Sequence, residues 1–174
     1  MKNNGFLHLV SLVAALLLAL PTMAQSESIV TLSGNAYITS GQTAFIDEDH
    51  CTIRNWNDKE TVISFYFRTE KSGYMNIALQ AKGNSKIEVS LLGKKKKVTL
   101  KSDDLSRIEL GTFKVENPGY VKMDIRGLKI NQGADFGSIA SVTVGGDVCP
   151  VICVSPDFSS HFGRRGPSVH LNYN

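Results

Sequence analysis

A strict alternation of apolar and polar side chains in two neighbouring stretches limits the fold of this chain more than any other sequence feature. Residues 63–69 and 75–80 have an apolar side chain at every second position, namely Ile63, Phe65, Phe67, Met75, Ile77 and Leu79. A period of two residues is typical of a β-strand with one buried face. A turn through residues 70–73 would pair the two stretches as a hairpin, with Phe65 facing Ile77 and Ile63 facing Leu79.

A second hairpin is predicted around Gly93 and Lys94, which lie between two β-rich stretches. A type II′ turn at these residues would pair Val89 with Val98 and Ile87 with Leu100, so that all four side chains share one face. The lysine run at 94–97 then lies at the hairpin tip. Solvated lysines at a tip discourage pairing between sheet edges, and this interpretation is favoured over a dedicated anion site.

A third hairpin is indicated by the turn sequence Asn117-Pro118-Gly119. It would place Phe113 and Val115 against Met123 and Val121. Further strands are predicted at residues 29–32, 36–39 and 138–144. Short strands at this spacing, in a chain with 15 glycines, predict an all-β fold, an antiparallel β-sandwich of jelly-roll type.

The N-terminus has the composition of a secretory leader. A short cationic segment precedes an apolar run at residues 6–20, and the small residue Ala24 suits a cleavage site. The run is shorter than the roughly 20 apolar residues that a spanning helix needs. We therefore predict a signal peptide at residues 1–24, export to the periplasm or the extracellular space, and no membrane span in the mature chain.

The rest of the chain is long enough for one domain. We predict a β-sandwich at residues 25–146, ended by Gly145-Gly146, and a linker with the truncated start of a second domain at residues 147–174. The chain has 19 Lys and Arg residues against 16 Asp and Glu residues. So small a cationic excess does not indicate a nucleic-acid partner.

Three cysteines, Cys51, Cys149 and Cys153, follow the leader. In an oxidising compartment they could form one disulfide, and three pairings exist. Cys149 and Cys153 flank Pro150, so a local turn would bring them together, whereas an extended strand would hold them too far apart. The Cys149–Cys153 bridge and no bridge at all stay open as equal alternatives.

Several segments carry a family resemblance, namely Ser33-Gly34-Asn35-Ala36-Tyr37, Asn55-Trp56, residues 62–68 and Pro118-Gly119-Tyr120-Val121. With them, residues 29–146 resemble the secreted domain of unknown function family 5077. The tail at residues 164–171 resembles the start of domain of unknown function family 3472, which typically follows it. The resemblance implies a carbohydrate-binding-like β-sandwich from Bacteroidetes-type bacteria and a C-terminal partner domain, almost all of which would be missing here. It supplies no catalytic residues.

The predicted first hairpin offers residues for a sugar site. Flat aromatic side chains stack on sugar rings, and amide or guanidinium groups hydrogen-bond to hydroxyls. On the face away from the core, the predicted pairing places Tyr66 beside Asn76 and Arg68 beside Tyr74. The simpler alternative is that these four residues are ordinary members of amphipathic strands.

Trp56, the only tryptophan, lies in the polar stretch 54–58. At a loop tip it would be a platform for a sugar, and it is therefore kept as a candidate ligand contact. In the interior it would fill the core with its N–H bonded to a backbone acceptor, and this alternative is favoured.

The stretch Asp47-Glu48-Asp49-His50 could supply oxygen ligands to a structural calcium ion, but its spacing matches no calcium-binding loop. A solvated acidic loop is favoured, and no cofactor is predicted. The sequence has no nucleophile elbow, glycine-rich phosphate loop or paired-histidine metal motif. No catalytic residue is predicted.

Three functions follow from these features. The leading hypothesis is a non-catalytic carbohydrate-binding or accessory module of a secreted glycan-processing system. The second is a structural domain that docks onto a C-terminal partner domain. The third is a fragment of an uncharacterised secreted hydrolase, with Arg164, Arg165 and His170 as remnants of its site.

Overall fold

The computed structural model describes residues 26–47 and 50–154 of the 174-residue chain. These residues form nine β-strands in antiparallel ladders and no helix, so none of them belongs to an apolar helix of membrane-spanning length. The strands are β1 (Glu27–Thr31), β2 (Ala36–Ser40), β3 (Phe45–Asp47), β4 (Thr52–Arg54), β5 (Val62–Thr69), β6 (Gly73–Leu91), β7 (Lys94–Val115), β8 (Gly119–Ile130) and β9 (Ser138–Gly146). The predicted all-β class is confirmed.

Seven of the strands are hydrogen-bonded in one continuous network that forms two layers. The two long strands, β6 and β7, take part in both layers. The first half of β6, up to Lys82, pairs with β9, and its second half, from Ser85, pairs with β8. β7 follows β6 along both halves. One layer, which we call the β9 sheet, contains β1, β9 and the adjoining halves of β6 and β7. The other layer, the β8 sheet, contains β2, β5, β8 and the remaining halves.

The hydrophobic core lies between these two sheets. Phe65 and Met123 of the β8 sheet are buried, as are Ile77 and Val142 of the β9 sheet. Sheets packed face to face lie about 10 Å apart, and their inward side chains interdigitate. Because successive side chains of a strand point to opposite sides, each sheet also has an outer face directed away from the core. The predicted β-sandwich is confirmed.

The strand β6 passes from one sheet to the other at Gly83. Its ladder with β7 shifts register between Ala81 and Gly83, where the φ of Gly83 is 143°. Gly83 lies against Gly137, and a Cβ built on Gly83 would be 2.8 Å from the Gly137 Cα. Glycine at both positions therefore permits the close backbone approach at which the two sheets diverge.

The predicted first hairpin is wrong, although its buried faces are right. β5 pairs with β2 and β8, so Phe65 lies opposite Ala36 and Met123 and not opposite Ile77. The connection at residues 70–72 crosses from one sheet to the other. Three extended residues reach about 10 Å, which equals the distance between packed sheets.

The predicted third hairpin is wrong for the same reason. β7 and β8 are joined by residues 116–118, but Phe113 and Val115 pair with β6. Val121 and Met123 pair with β5. All four side chains are buried, so the sequence pattern gives their orientation correctly and their strand partners incorrectly.

The predicted second hairpin is confirmed with a different register. Leu91 pairs with Lys94, and the central residues Leu92 and Gly93 have φ values of 49° and 74°. Positive φ at both central residues defines a type I′ turn in place of the predicted type II′ turn. Val98 consequently pairs with Ile87 instead of Val89, and because the shift is by an even number of residues both side chains still face the core.

Residues 147–154, predicted to be a linker, pack against the sandwich. Val148 and Val151 are buried in the core, and Ile152 forms an antiparallel bridge with Arg68 of β5. The Val154 amide donates a 2.7 Å hydrogen bond to the Asn35 side chain. The packed domain therefore continues past Gly146 to Val154. The predicted domain start at residues 164–171 lies outside the described residues.

The Cys149–Cys153 disulfide, which the sequence left open, is not formed, and both residues are free thiols. Cys149 Sγ donates to the Val144 carbonyl at 3.0 Å, whereas Cys153 Sγ donates to the Ile29 carbonyl at 3.6 Å. Ile152, between the two cysteines, forms a bridge with β5, and the two thiols contact different strands, β9 and β1. Burial raises the pKa of both thiols, because desolvation disfavours the thiolate.

Candidate functional site

Three tyrosines lie on the outer face of the β8 sheet. Tyr37 of β2, Tyr66 of β5 and Tyr120 of β8 each alternate with buried residues, so their side chains point away from the core. We call the outer side of β2, β5 and the first half of β8 the tyrosine face. Its polar members are Thr39, Ser64, Arg68, Lys122 and Asp124.

The three rings differ in their exposure and in how far their orientation is restrained. Tyr120 is 81% exposed and Tyr37 is 46% exposed, whereas Tyr66 is half-buried. The rings of Tyr37 and Tyr66 meet edge to face, with centroids 5.9 Å apart and planes inclined by 64°. Such a contact restrains both rings. The tyrosine face therefore presents one oriented pair of rings and one open ring.

A buried hydroxyl organises the polar residues beneath these rings. Ser64 is fully buried and donates a 2.5 Å hydrogen bond to the Asp124 carboxylate, while the Thr39 hydroxyl lies 2.6 Å from the Ser64 hydroxyl. Lys122 pairs with Asp124 at 3.0 Å. The hydrogen bond to Asp124 raises the pKa of Lys122, because it stabilises the charged ammonium. The carboxylate is thus held in place from two sides.

Arg68 lies at the end of the tyrosine face beside the open ring. It is opposite Tyr120 on β8, and two 2.8 Å backbone hydrogen bonds join it to Ile152 on its other side. Within the described residues, no carboxylate pairs with its guanidinium. The backbone of Arg68 is therefore fixed, and its charge is available to a ligand.

This combination of groups suits a polyhydroxylated ligand. An exposed tyrosine ring stacks on the apolar side of a sugar ring, and its hydroxyl also forms a hydrogen bond. The Asp124 carboxylate accepts hydrogen bonds from hydroxyls, and the Arg68 guanidinium and the Lys122 ammonium donate them. The site is an open sheet surface, so the groups are arranged for a ligand that lies along it.

The structure separates the four residues that the predicted first hairpin brought together. Tyr66 and Arg68 lie on the tyrosine face, where Tyr66 is opposite Lys122. Tyr74 and Asn76 lie on the outer face of the β9 sheet, on the other side of the sandwich. The predicted juxtapositions of Tyr66 with Asn76 and of Arg68 with Tyr74 are wrong, because β5 and β6 do not pair.

The outer face of the β9 sheet gives Tyr74 and Asn76 different neighbours. Tyr74 is 57% exposed and lies opposite Lys114 of β7. The side-chain oxygen Oδ1 of Asn76 accepts a 2.7 Å hydrogen bond from the Thr112 hydroxyl. Lys114 is paired with Glu116, whose hydrogen bond raises the pKa of Lys114. The polar residues beside Tyr74 on this face, Asn76 and Lys114, therefore already have partners.

Trp56 is fully buried and offers no exposed ring for stacking. Its ring lies 5.4 Å from that of Phe136, and its carbonyl accepts a 2.8 Å hydrogen bond from the Phe136 amide. Trp56 therefore fills the core, as the favoured alternative had it, and the loop-tip platform is wrong. The predicted backbone acceptor for its indole N–H is also wrong, since that N–H has no hydrogen-bond partner among the described residues.

The acidic stretch considered for calcium is only partly described, because Glu48 and Asp49 lie outside the described residues. Asp47 ends β3, which pairs with β4 in a short hairpin that the sequence did not indicate. Its carboxylate contacts His50 at 3.0 Å and Arg54 at 3.1 Å, and the His50 hydrogen bond is the largest cause that lowers the pKa of Asp47. The described residues contain no cluster of three potential metal ligands.

Tyr37 and Tyr120 belong to the tyrosine face but were not among the predicted site residues. A sequence signal for their orientation exists, because Tyr37 alternates with Ala36 and Ile38, and Tyr120 precedes the apolar Val121. The order of the strands has no such signal. Only that order, β8-β5-β2, brings the three tyrosines onto one surface.

Comparison with known proteins gives a family and a fold. Residues 30–149 match the model of a family described as "Domain of unknown function (DUF5077)". No curated protein matches the sequence.

Solved structures of carbohydrate-binding modules are similar in fold. CBM35 from Cellvibrio japonicus Abf62 has a TM-score of 0.52 and 12% identity, over 75% of this chain and 99% of that chain. The CBM36-1 domain of a multidomain xylanase from the hindgut metagenome of Trinervitermes trinervoides has a TM-score of 0.50 and 13% identity, over 70% of this chain and 98% of that chain.

A larger protein contains a similar module. The GH26-CBM35 β-(1,4)-mannanase of Podospora anserina has a TM-score of 0.52 and 13% identity, over 71% of this chain but only 28% of that chain. At these identities the likeness shows the fold alone. The predicted jelly-roll β-sandwich of carbohydrate-binding-module type is confirmed.

Proposed function

We propose that this chain, which belongs to the DUF5077 family, is a secreted, non-catalytic carbohydrate-binding module of a glycan-processing system. The observation that carries this proposal is the tyrosine face. It combines an open ring, Tyr120, with an oriented pair, Tyr37 and Tyr66, on one exposed sheet surface.

The polar groups beneath and beside these rings support the same function. Asp124 is held by Ser64 and Lys122, so a ligand hydroxyl meets a carboxylate that is already in place. A group that is ordered before binding loses less conformational entropy when the ligand arrives. The arrangement favours binding of a sugar over its chemical conversion, because sugar hydrolysis generally needs two carboxyl groups poised across a bond.

The fold supports the proposal as an analogy. The modules similar in fold are named carbohydrate-binding modules, and two of them come from a mannanase and a multidomain xylanase. A fold hosts many functions, so the ligand of this chain is argued from its surface residues. Export is proposed on the leader-like composition of residues 1–24.

The test is a glycan-array and calorimetry experiment on the chain expressed without residues 1–24. We expect binding to at least one plant, host or microbial glycan, and a loss of about fivefold in affinity for Tyr120→Ala, because one stacking contact contributes about 1 kcal/mol. Tyr120 is 81% exposed, so this variant should fold normally, as circular dichroism would verify.

The chain offers a matched control in Tyr74, which is exposed on the opposite outer face. Tyr74→Ala should leave the affinity unchanged. Equal losses for Tyr74→Ala and Tyr120→Ala would contradict a site on the tyrosine face. An absence of binding to every glycan would favour the alternative of a domain that docks onto a protein partner.

A further inference from the structure

The outer face of the β8 sheet continues past the tyrosines into a group of cations. Lys95 of β7 shares a row with Asp124 through Ser90 of β6, so the two regions adjoin. We call this group the cationic strip. Its members are Lys86, Lys95, Lys97, Arg126 and Lys129.

Only two of the four lysines at residues 94–97 belong to the cationic strip. Strand alternation points Lys95 and Lys97 to the outer face, because Val98 faces the core. Lys96 points the other way, and its ammonium donates a 2.7 Å hydrogen bond to the Leu110 carbonyl in the β9 sheet. The run is therefore not a uniform solvated tip, and two of its charges add to the outer face.

Glu88 is the single carboxylate on the sheet surface within the strip, and it is 7% exposed. Arg126 lies 2.7 Å from its Oε1 and Lys95 lies 3.8 Å from the same atom. That oxygen has no aligned hydrogen-bond donor among the described residues. The charge of Glu88 thus only partly neutralises Arg126 and Lys95. Glu88 is too buried to pair with the other cations of the strip.

The remaining cations of the strip have no ion pair within the described residues. Lys86 and Lys129 lie directly opposite each other in the ladder between β6 and β8. Like charges at opposite positions of a ladder are destabilising. A bound anion would relieve this repulsion, so the position of the two lysines is better suited to a complex than to the isolated chain.

The strip contrasts with the composition of the whole chain. Nineteen cationic residues nearly balance 16 acidic residues overall, yet five cations and one buried carboxylate meet on this surface. Five adjacent strands, from β2 to the edge strand β7, span roughly 19 Å at about 4.8 Å per strand. A surface of that width, aromatic at one side and cationic at the other, matches a chain-like ligand that carries both rings and repeated negative charges.

We propose that the outer face of the β8 sheet binds an acidic polysaccharide, with sugar rings stacked on the tyrosines and carboxylate or sulfate groups on the cationic strip. This inference rests on the proposed function, which it narrows to polyanionic glycans. Arg68 at the far end of the tyrosine face adds a further unpaired cation. The tyrosines favour a glycan over a lipid surface, because headgroup charges alone need no stacking rings.

The test uses polygalacturonate, alginate and heparin, with methyl-esterified polygalacturonate as the uncharged counterpart of the first. At least one acidic polymer should bind, and for polygalacturonate the ester should bind at least tenfold more weakly. Binding should weaken steeply between 50 and 500 mM salt, because exposed charges are screened.

Two double variants locate the charges. Lys95→Gln/Lys97→Gln should weaken binding about fivefold, as two exposed ionic contacts together contribute about 1 kcal/mol. Lys94→Gln/Lys114→Gln removes the same charge from residues that face elsewhere, and it should leave the affinity unchanged. Equal losses in both variants would overturn the cationic strip as a site.

The outcomes separate this inference from the proposed function. Tyr120-dependent binding of neutral glycans, with no effect of the two lysine variants and none of the acidic polymers bound, would overturn the inference alone. Binding of DNA as tightly as of any acidic glycan, unaffected by Tyr120→Ala, would show nonspecific cation binding and overturn it too. A lack of Tyr120-dependent binding to any glycan would overturn the proposed function itself.

Discussion

The two outer faces of this sandwich differ in how far their charged groups are paired with one another. On the β9 sheet, Arg107 of β7 reaches Glu27 of β1 with two hydrogen bonds of 2.8 and 3.0 Å. The pair lies beside Gly145, since a Cβ on that residue would be 3.5 Å from the Glu27 Cγ. The charges of Arg107 and Glu27 on this face therefore neutralise each other.

The β8 sheet keeps its central polar groups buried and its rings exposed. Ser64 is fully buried beneath the outer face, while Tyr120 projects from it. Two of its cations, Arg68 and Lys97, have no acidic partner within the described residues. Exposure of a tyrosine alone therefore does not mark a site, because Tyr74 is exposed on the face whose charged groups bind one another.

The largest loss of stability is expected at the close backbone approach where the two sheets diverge. In Gly137→Ala, the new methyl group would collide with the Lys82 backbone, and the φ of 105° strains any residue with a Cβ. We expect the free energy of unfolding to fall by about 3 kcal/mol or more. Gly133→Ala is the control, because its φ is 90° but nothing lies within 4 Å of the added group.

Gly133→Ala should cost about 1 kcal/mol. Chemical denaturation of both variants measures the difference. If the two substitutions had equal effects, the close crossing of β6 and Gly137 would not be what separates the sheets.

A smaller loss of stability should distinguish the buried hydrogen bond of Ser64 from the exposed hydrogen bond of Thr112. Ser64→Ala removes the hydroxyl that donates to Asp124, and the unfolding free energy should fall by about 1 to 2 kcal/mol because the lost bond is buried. Thr112→Ala removes the donor to Asn76 on the other face, where solvent replaces it. Its effect should stay within about 0.5 kcal/mol.

The same pair of variants tests preorganisation. Ser64→Ala should also weaken glycan binding when assayed well below its melting temperature, because Asp124 loses one of its two supports. A Ser64→Ala protein with full affinity, or a Thr112→Ala protein that loses it, would contradict the assigned roles of the two faces.

The smallest effect concerns the ion pair that closes the β9 sheet. The hydrogen bond from Arg107 lowers the pKa of Glu27, so this carboxylate stabilises the fold above the pKa of an unfolded glutamate, about 4.3. The contribution is lost as the pH falls through the lowered pKa of the folded state. The stability difference between the native chain and Glu27→Gln should therefore be constant near neutral pH and shrink below about pH 4.3.

Urea unfolding between pH 7 and pH 3 measures this difference. Asp47 and Asp58, whose pKa values are also lowered, titrate equally in both proteins and cancel. A difference that grows on acidification would have the wrong sign for this ion pair. Glycan binding should be the same in both proteins at neutral pH.

The alternation of apolar and polar residues predicted correctly which side chains face the core, but it did not predict which strands pair. Ile63, Phe65, Ile77 and Val121 are all buried, as the alternation required. Their strands were paired wrongly because a connection of three residues can close a hairpin or cross between sheets about 10 Å apart. Both crossings end at a glycine with positive φ, Gly73 at 143° and Gly119 at 150°, whereas the hairpin between β6 and β7 has a two-residue type I′ turn.

The candidate site was half predicted for the same reason. Tyr66 and Arg68 were assigned to an exposed face from alternation, and the structure places them on one. Their neighbours come from β2 and β8, which lie far away in sequence, so no local pattern could supply Tyr37 or Tyr120. The burial of Trp56 is likewise a consequence of packing against Phe136, 80 residues further on.

The most direct test of the tyrosine face is an NMR titration of the ¹⁵N-labelled chain, expressed without residues 1–24, with an oligosaccharide of the polymer that binds most tightly. The amide shifts of Tyr66, Arg68 and Tyr120 are expected to change in proportion to occupancy, while those of β1 and β9 stay in place. Shifts that concentrate instead on β1, β9 or Tyr74 would contradict the account and move the site to the opposite face.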